Sequence, residues 1–256
     1  MHLVVALALL GVGGAARSAP GDSELVVFEA ASLKDAFSKL VPRFEAAHPK
    51  VKVVVNVAGS QELRAQLEHG AAADVFASAD RKHMDALVAQ GLVAAPTVFA
   101  CNEPVMVVRP ELAGTVKSFA DLPRVERIVV GTPEVPIGSY TAQILKRAAA
   151  KYGDDFAKRV EAKVVSRELN VRQVLAKVVL GEADAGVVYR SDTVTAGDKV
   201  AAVTIPPAFN VTPEYPMATL THAPSPALAK QWIDLVKSPA GVAALRESGF
   251  VPCPSP

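Results

Sequence analysis

Four segments of the sequence place a polar residue or a proline where an extended run gives way to a helical pattern. Ser32 and Ser60 stand in the frames Ser-Leu-Lys-Asp and Gly-Ser-Gln-Glu, Asn170 heads Asn-Val-Arg-Gln, and Pro136 opens Pro-Ile-Gly-Ser. A helix start exposes backbone N–H groups without intrahelical partners, and the helix dipole adds about half a positive charge there, so oxyanions bind well. Four such starts meeting at one point would hold a dianion. Each of them alone is more often an ordinary N-cap.

Sequence motifs of the common enzyme classes are missing from the chain. It contains no G-x-S-x-G, S-x-x-K, H-E-x-x-H or P-loop pattern. The histidines, at positions 2, 48, 69, 83 and 222, do not have the spacing of metal ligands. These absences favour a binding protein that is not an enzyme. They leave open an enzyme whose reactive groups lie far apart in the sequence.

The charge balance of the chain argues against nucleic acid as a partner. Of 256 residues, 27 are Lys or Arg and 26 are Asp or Glu, and no basic run is longer than two residues. The chain therefore lacks the electrostatic footprint of a duplex-binding protein. An aromatic content of 5% is too low for a platform on which single strands stack. The length and the hydrophobic fraction of 50% allow one large domain or two of about 100 to 150 residues.

The first twenty residues have the pattern of a secretory signal. An apolar run from Leu3 to Ala16 is followed by Arg17-Ser18-Ala19-Pro20, and the run is too short to span a bilayer. We predict a signal peptide of residues 1–18, with cleavage after Ala16 as an alternative. A buried N-terminal helix is the other interpretation, and three glycines within the run disfavour it. The mature protein is therefore expected in the periplasm.

Export affects which oxidation state is expected for the two cysteines, Cys101 and Cys253. They are too few for a disulfide scaffold or a four-thiolate zinc site. In an oxidising compartment, however, one pair of thiols can persist as a disulfide. The sequence leaves two alternatives equally open, a bridge between Cys101 and Cys253 or two unpaired, small apolar side chains.

Strand and helix patterns alternate along the rest of the chain. An extended stretch over 98–109 is interrupted at 102–104. The periodicity predicts strands over 25–30, 51–58, 74–79, 127–131, 161–166, 185–189 and 215–220, and helices over 33–44, 61–69, 81–90, 140–152, 171–179 and 227–236. Such alternation is typical of parallel α/β units, which bind ligands at the carboxyl ends of their strands.

Several motifs occur in the order found in one known family. They are Phe-Glu-Ala-Ala-Ser-Leu at 28–33, Ala-Gly-Ser at 58–60, Gly-Ala-Ala-Ala-Asp-Val-Phe-Ala-Ser-Ala-Asp at 70–80, Gly-Thr-Pro-Glu-Val-Pro-Ile-Gly at 131–138, Gly-Val-Val-Tyr-Arg-Ser-Asp at 186–192, Glu-Tyr-Pro at 214–216 and Ser-Gly-Phe at 248–250. Over nearly the whole mature chain, this pattern resembles the periplasmic molybdate-binding proteins of ABC transporters. The Ala-Asp-Val-Phe-x-Ser-Ala-Asp segment at 73–80 marks the wider oxyanion-binding group, and Tyr189 points to molybdate within it.

The resemblance implies an α/β fold of two lobes, the type II-like periplasmic binding protein fold. Lobe I would comprise 24–101 plus 215–256 and lobe II 102–214, with two crossover strands and a ligand cleft between the lobes. The ligand-binding residues carried over by motif are Ser32 and Ser60, through hydroxyl and backbone N–H groups, Ile137 and Val171, through backbone N–H groups, and Tyr189, through its phenol. Molybdenum would be bound only as the molybdate oxyanion, so the resemblance implies no cation ligands and no cofactor.

The function implied by the resemblance is an extracytoplasmic receptor for molybdate and tungstate. Such a receptor delivers its anion to a membrane permease with a cytoplasmic ATPase, and we expect it to be a monomer. A receptor for another tetrahedral oxyanion, such as sulfate, is the alternative in the same class. A secreted enzyme on the same fold, using Ser32 or Tyr189 chemically, is the alternative from another class.

Two residues depart from the family pattern. Glu29 stands where the family usually has a small residue, and a carboxylate near an anion would lower the affinity. Strand alternation puts Val27 and Glu29 on one face, and we expect that Glu29 faces solvent. Ile137 is bulkier than the alanine often found there, so the pocket size is open to change, although its expected donor is the backbone N–H.

Overall fold

Strands and helices alternate throughout the computed structural model, which describes residues 23–253; the predicted signal peptide lies outside these residues. The strands are β1 (Ser23–Ala30), β2 (Val51–Ala58), β3 (Val75–Ala77), β4 (Val93–Cys101), β5 (Pro104–Val108), β6 (Ile128–Gly131), β7 (Val164–Glu168), β8 (Ala185–Tyr189), β9 (Ala201–Thr204) and β10 (Glu214–Leu220). The α-helices are α1 (Lys34–Ala47), α2 (Ser60–Glu68), α3 (Arg81–Ala89), α4 (Pro136–Tyr152), α5 (Phe156–Glu161), α6 (Val171–Val179), α7 (Arg190–Ala196), α8 (Pro226–Lys237) and α9 (Pro239–Glu247). Between residues 23 and 253, no helix has the length and apolar character needed to cross a membrane.

The strands form two five-stranded sheets, one in each lobe. The sheet of the first lobe has the order β2-β1-β3-β10-β4, and that of the second lobe has the order β7-β6-β8-β5-β9. The chain passes to the second lobe between β4 and β5 and returns between β9 and β10. In each sheet, parallel strands at one edge adjoin antiparallel strands at the other. The lobe limits given above stay a prediction, and the sheet membership of the strands supports them.

Helices cover both faces of the first sheet, which explains why Glu29 is buried. Val27 packs in a cluster with Phe37 of α1, whereas Phe28 packs in a cluster with Leu63 of α2. Successive residues of β1 therefore enter two different cores, as is usual for strands flanked by parallel neighbours. Glu29 is 2% exposed, so the expectation that it faces solvent was wrong. Alternation predicts an exposed face only when one face of a sheet is open.

Some elements of the second lobe and of the C-terminal region differ from the sequence prediction. The strand expected over 161–166 is β7, Val164–Glu168, because the preceding residues form the short helix α5. Helix α9 was not predicted. Its start has a readable signal, since the Ser238 side chain accepts a hydrogen bond from the Gly241 N–H and Pro239 occupies the first helical position.

A covalent bond fixes the C-terminal segment to the end of β4. The sulfur atoms of Cys101 and Cys253 are joined, across a sequence separation of 152 residues. The Val251 N–H also donates to the Cys101 carbonyl at 2.9 Å. The bridge lies where the chain leaves the first lobe, so it ties the C-terminus to one of the two crossovers.

Loss of this bridge is expected to destabilise the protein. In the chain-entropy model, closing so long a loop stabilises by about 5 kcal/mol, and removal of a native disulfide costs about 2 to 5 kcal/mol. The double variant Cys101→Ser/Cys253→Ser should therefore unfold at lower urea concentration than the wild type. Reductant should lower the wild-type midpoint toward that of the variant and leave the variant unchanged. Equal midpoints without reductant would contradict the prediction.

Candidate functional site

A small cavity lies between the two lobes. It has about 220 Å³ of empty space, part of which is open to solvent. The first lobe contributes residues from the ends of β1, β2 and β3, and the second lobe contributes the starts of α4 and α6 and the end of β8. The lining residues are Ala30, Ala31, Ser32, Gly59, Ser60, Ala79, Val135, Pro136, Ile137, Asn170, Val171 and Tyr189. All five residues predicted from the motifs are among them, and none of the lining side chains that the structure describes is charged.

Helix starts from both lobes supply the backbone donors of this cavity. Ser60 and Val171 are the first residues of α2 and α6, and Ile137 is the second residue of α4. Ser32 lies in a short 3-10 turn that leads into α1. Asn170 caps α6 by accepting from the Gln173 N–H at 3.1 Å, as the sequence pattern indicates. The first N–H groups of a helix lack intrahelical partners, so these starts present free donors to the space between the lobes.

The Ser60 hydroxyl is oriented by a neighbouring backbone group. Its Oγ accepts a hydrogen bond from the Ala79 N–H at 3.0 Å, and the side chain is buried. Because Ser60 Oγ acts as the acceptor in this bond, the hydroxyl proton of Ser60 remains available for an acceptor in the cavity.

The phenol of Tyr189 is a buried donor without a partner. The residue ends β8 and is 1% exposed, and its Oη has no hydrogen-bond partner within residues 23–253. Burial holds the pKa of this phenol well above its usual value, so it keeps its proton. An unsatisfied buried hydroxyl costs about 1 to 3 kcal/mol, and an acceptor in the cavity would remove that cost.

Side chains that do not line the cavity also connect the lobes. The Thr195 hydroxyl donates to the Asp35 carboxylate at 2.6 Å, and Arg172 forms an ion pair with the same carboxylate. The Gln61 amide donates to the Leu169 carbonyl at 2.7 Å. The lobes are therefore closed on one another, with α1 and α2 of the first lobe held against the α6 region of the second.

A histidine makes a further contact between the lobes. The Nδ1 atom of His83 lies 3.4 Å from a guanidinium nitrogen of Arg64, which can only donate. The proton of a neutral ring is therefore on Nε2, which donates to the Glu134 carbonyl at 2.9 Å. Glu134 is just ahead of the α4 start that lines the cavity.

An ionic group that connects α6 with the end of β8 was not predicted from the sequence. Arg172 Nε lies 2.9 Å from the carboxylate of Asp192, which is fully buried and also accepts from the Tyr189 N–H at 2.9 Å. Burial raises the pKa of Asp192 to about 6, and Arg172 opposes that rise. The available signal was local, because Asp192 follows Tyr189 by three residues, the spacing of a helix-capping carboxylate.

Glu29 is buried beside this group but does not line the cavity. Burial, together with the nearby carboxylate of Asp35, raises the pKa of Glu29 to about 8, while Lys34 and Arg172 lower it. At neutral pH the carboxyl is mostly protonated. It therefore adds little negative charge next to the cavity. The loss of anion affinity considered from the sequence does not apply to a protonated carboxyl.

No group of three or more His, Cys, Asp or Glu residues within 23–253 is arranged to hold a metal ion. The cavity instead offers hydroxyl and backbone N–H donors from both lobes. Two α/β lobes with two crossovers, closed over a buried set of donors, define a solute-binding protein. The chain belongs to the family of bacterial extracellular solute-binding proteins, whose sequence model matches residues 25–251.

Within that family the chain is similar to molybdate-binding proteins. It is 41% identical over 254 residues to the molybdate-binding protein ModA of Mycobacterium tuberculosis strain H37Rv. This alignment covers 97% of this chain and 94% of the relative. It is 31% identical to the ModA protein of Escherichia coli K12, covering 95% of each chain. The solved structure of the Azotobacter vinelandii periplasmic molybdate-binding protein has a TM-score of 0.78 at 21% identity and covers 90% of this chain and 100% of that one. The predicted family and the two-lobed fold are confirmed.

The raised pKa of Glu29 predicts a pH-dependent loss of stability. An unfolded chain ionises this carboxyl near pH 4.5, whereas the folded protein keeps the proton to about pH 8. Between these values the folded state binds more protons than the unfolded state, so stability falls as pH rises, by up to about 1.4 kcal/mol per pH unit.

Glu29→Gln should remove this component, because the amide does not ionise. Urea unfolding at pH 5 and pH 8 should show a smaller loss of stability for Glu29→Gln than for the wild type. Glu24→Gln, on the exposed start of the same strand, is the matched control and should follow the wild-type profile. If the pH profiles of Glu29→Gln and the wild type run parallel, the carboxyl is ionised in the folded protein.

Proposed function

We propose that this protein captures molybdate, and tungstate of the same shape and charge, and delivers it to an ABC permease with a cytoplasmic ATPase. The observation that carries the proposal is the cavity between the lobes, where the lining residues found within 23–253 are all uncharged and include Tyr189, whose buried phenol has no partner among them. The 41% identity to a molybdate-binding protein supports the choice of anion.

The anion would be held by neutral dipoles from both lobes. Ser32 and Ser60 would donate through hydroxyl and backbone N–H groups, Ile137 and Val171 through backbone N–H groups, and Tyr189 through its phenol. Seven hydrogen bonds to a charged acceptor, at about 1.5 to 3 kcal/mol each, give about 10 to 20 kcal/mol before ordering and desolvation costs are subtracted. The site thus has enough donors for submicromolar affinity without a lysine or arginine.

The donor set also determines which anions are rejected. A site made of donors has no acceptor for the O–H of a protonated oxyanion, so hydrogen phosphate leaves that group unpaired. Sulfate carries no proton at neutral pH, and size must discriminate against it. Sulfate is the second candidate ligand. Ile137, the bulkier lining residue noted in the sequence, also packs in the hydrophobic core of the second lobe.

We infer a role without catalysis, which the same lining supports. No histidine, lysine or carboxylate side chain lines the cavity to act as a base toward Ser32 or Tyr189. The protein would be exported by its predicted signal peptide, act in the periplasm as a monomer, and need no cofactor. Closure of the lobes on the anion would create the form that the permease recognises.

Calorimetric titration with molybdate, tungstate, sulfate and phosphate tests the proposal. The protein is first freed of ligand by partial unfolding and refolding. Molybdate and tungstate should bind one to one with submicromolar Kd, whereas sulfate and phosphate should give no heat of binding. Tight sulfate binding would make the protein a sulfate receptor. The absence of a heat of binding with all four anions would reject the proposal that the protein is an oxyanion receptor.

Tyr189→Phe checks the site itself. Removal of one donor to the anion should cost about 1 to 3 kcal/mol, or about 5-fold to 150-fold in Kd for molybdate. Tyr152→Phe, in the aromatic cluster with Phe156 and Phe209, is the matched control and should bind as the wild type does. Unchanged affinity in Tyr189→Phe would remove this phenol from the site.

Closure of the lobes can be blocked at one position. A Cβ atom at Gly59 would overlap the carbonyl oxygen of Leu169 across the cleft, whereas one at Gly114 would have no heavy atom within 4 Å. Gly59→Ala should leave each lobe folded and hold the lobes apart. With molybdate added, small-angle scattering should give a larger radius of gyration for Gly59→Ala than for Gly114→Ala, and Kd should rise. The same radius and affinity for both variants would show that closure tolerates the methyl group.

A further inference from the structure

A buried polar network connects the two crossovers with the cavity. Asn102 lies between β4 and β5, and Tyr215 is the second residue of β10; both are fully buried. The Asn102 N–H donates to the Pro213 carbonyl at 3.0 Å, so the two crossovers are bonded to each other. The Tyr215 Oη atom lies 3.0 Å from the Oγ of Ser32, which lines the cavity.

The orientation of the Asn102 amide follows from its neighbours. The Glu103 N–H lies 2.9 Å from Asn102 Oδ1 and can only donate, so this atom is the amide oxygen. Asn102 Nδ2 then carries two protons. One is directed to the Ser191 Oγ at 2.9 Å and the other to the Tyr215 Oη at 3.4 Å.

The direction of the remaining bonds follows from this assignment. Because the Tyr215 oxygen accepts from Asn102, its single proton is free for the Ser32 Oγ. Burial raises the pKa of Tyr215 far above its usual value, so that proton stays in place. Ser32 then accepts from Tyr215, and its own proton is left for the cavity.

We propose that Tyr215, oriented by Asn102, is a positioning residue that fixes the Ser32 hydroxyl as a donor to a proton-free oxyanion. The inference rests on the proposed function and deepens it. Without the Tyr215 hydroxyl, the Ser32 hydroxyl is free to turn and accept a proton from the ligand. Tyr215 therefore contributes to selectivity although it does not line the cavity.

A double-mutant cycle separates this role from a structural one. The proteins are the wild type, Tyr215→Phe, Ser32→Ala and the double variant, each titrated calorimetrically with molybdate. Tyr215→Phe keeps the ring that packs edge-on against Phe250 and should weaken binding about threefold to tenfold. In the Ser32→Ala background, the same substitution should change Kd less than twofold, because its target is gone.

A second measurement compares phosphate binding with molybdate binding, because general damage to the protein would not strengthen phosphate binding relative to molybdate binding. At pH 8, where hydrogen phosphate predominates, phosphate affinity is measured by competition of a large excess of phosphate against molybdate, and the ratio of phosphate to molybdate affinity should rise at least fivefold in Tyr215→Phe. It should stay unchanged in Tyr152→Phe. Thermal unfolding of each variant checks that the proteins are folded at the titration temperature.

The outcomes distinguish this inference from the function on which it rests. An equal loss of affinity in both backgrounds, or an unchanged phosphate ratio, overturns the role of Tyr215 while the receptor stands. A wild-type protein that binds none of the oxyanions overturns both. Coupling between Tyr215 and Ser32 together with the raised phosphate ratio supports the positioning role.

Discussion

The interlobe cavity brings together buried donors whose pairing an anion would complete. Helix starts of α2, α4 and α6 leave N–H groups without intrahelical partners, and the Tyr189 hydroxyl has none among the described residues. Each buried donor left unpaired costs about 1 to 3 kcal/mol. An anion that accepts from both lobes removes these costs together. Closing the lobes is thereby coupled to the presence of an acceptor.

The ionisable groups near the cavity are either neutral or lie outside it. Arg172 is shared between Asp35 of the first lobe and the buried Asp192, so its charge connects the lobes without entering the cavity. Glu29 is mostly protonated at neutral pH because it is buried. The field in the cavity therefore comes mainly from helix starts and hydroxyl dipoles, which are fixed by the fold. Fixed dipoles need no rearrangement when an anion enters.

The crossovers have a role beyond connecting the lobes. One is tied to the C-terminal segment by the disulfide of Cys101, and the next residue, Asn102, is bonded to the other crossover. From there the hydrogen bonds pass through Tyr215 to Ser32. The segments about which the lobes would rotate are thus joined to a donor of the cavity, so the hinge and the ligand site share one network.

Local sequence signals determined the strands and helices that position the site, because turns, caps and apolar periodicity act over a few residues. The four helix starts, and Tyr189 at the end of β8, were readable in this way with the help of the family motifs. The sequence could not decide that Glu29 is buried, since period-2 alternation does not reveal that helices cover both faces of a sheet. It left the state of the cysteines open, because pairing across 152 residues depends on distance in space. The contacts of Ser32 with Tyr215 and of Asp35 with Arg172 join residues 183 and 137 positions apart. Only the tertiary structure decided them, because chain folding brings such residues together and no local pattern encodes their pairing.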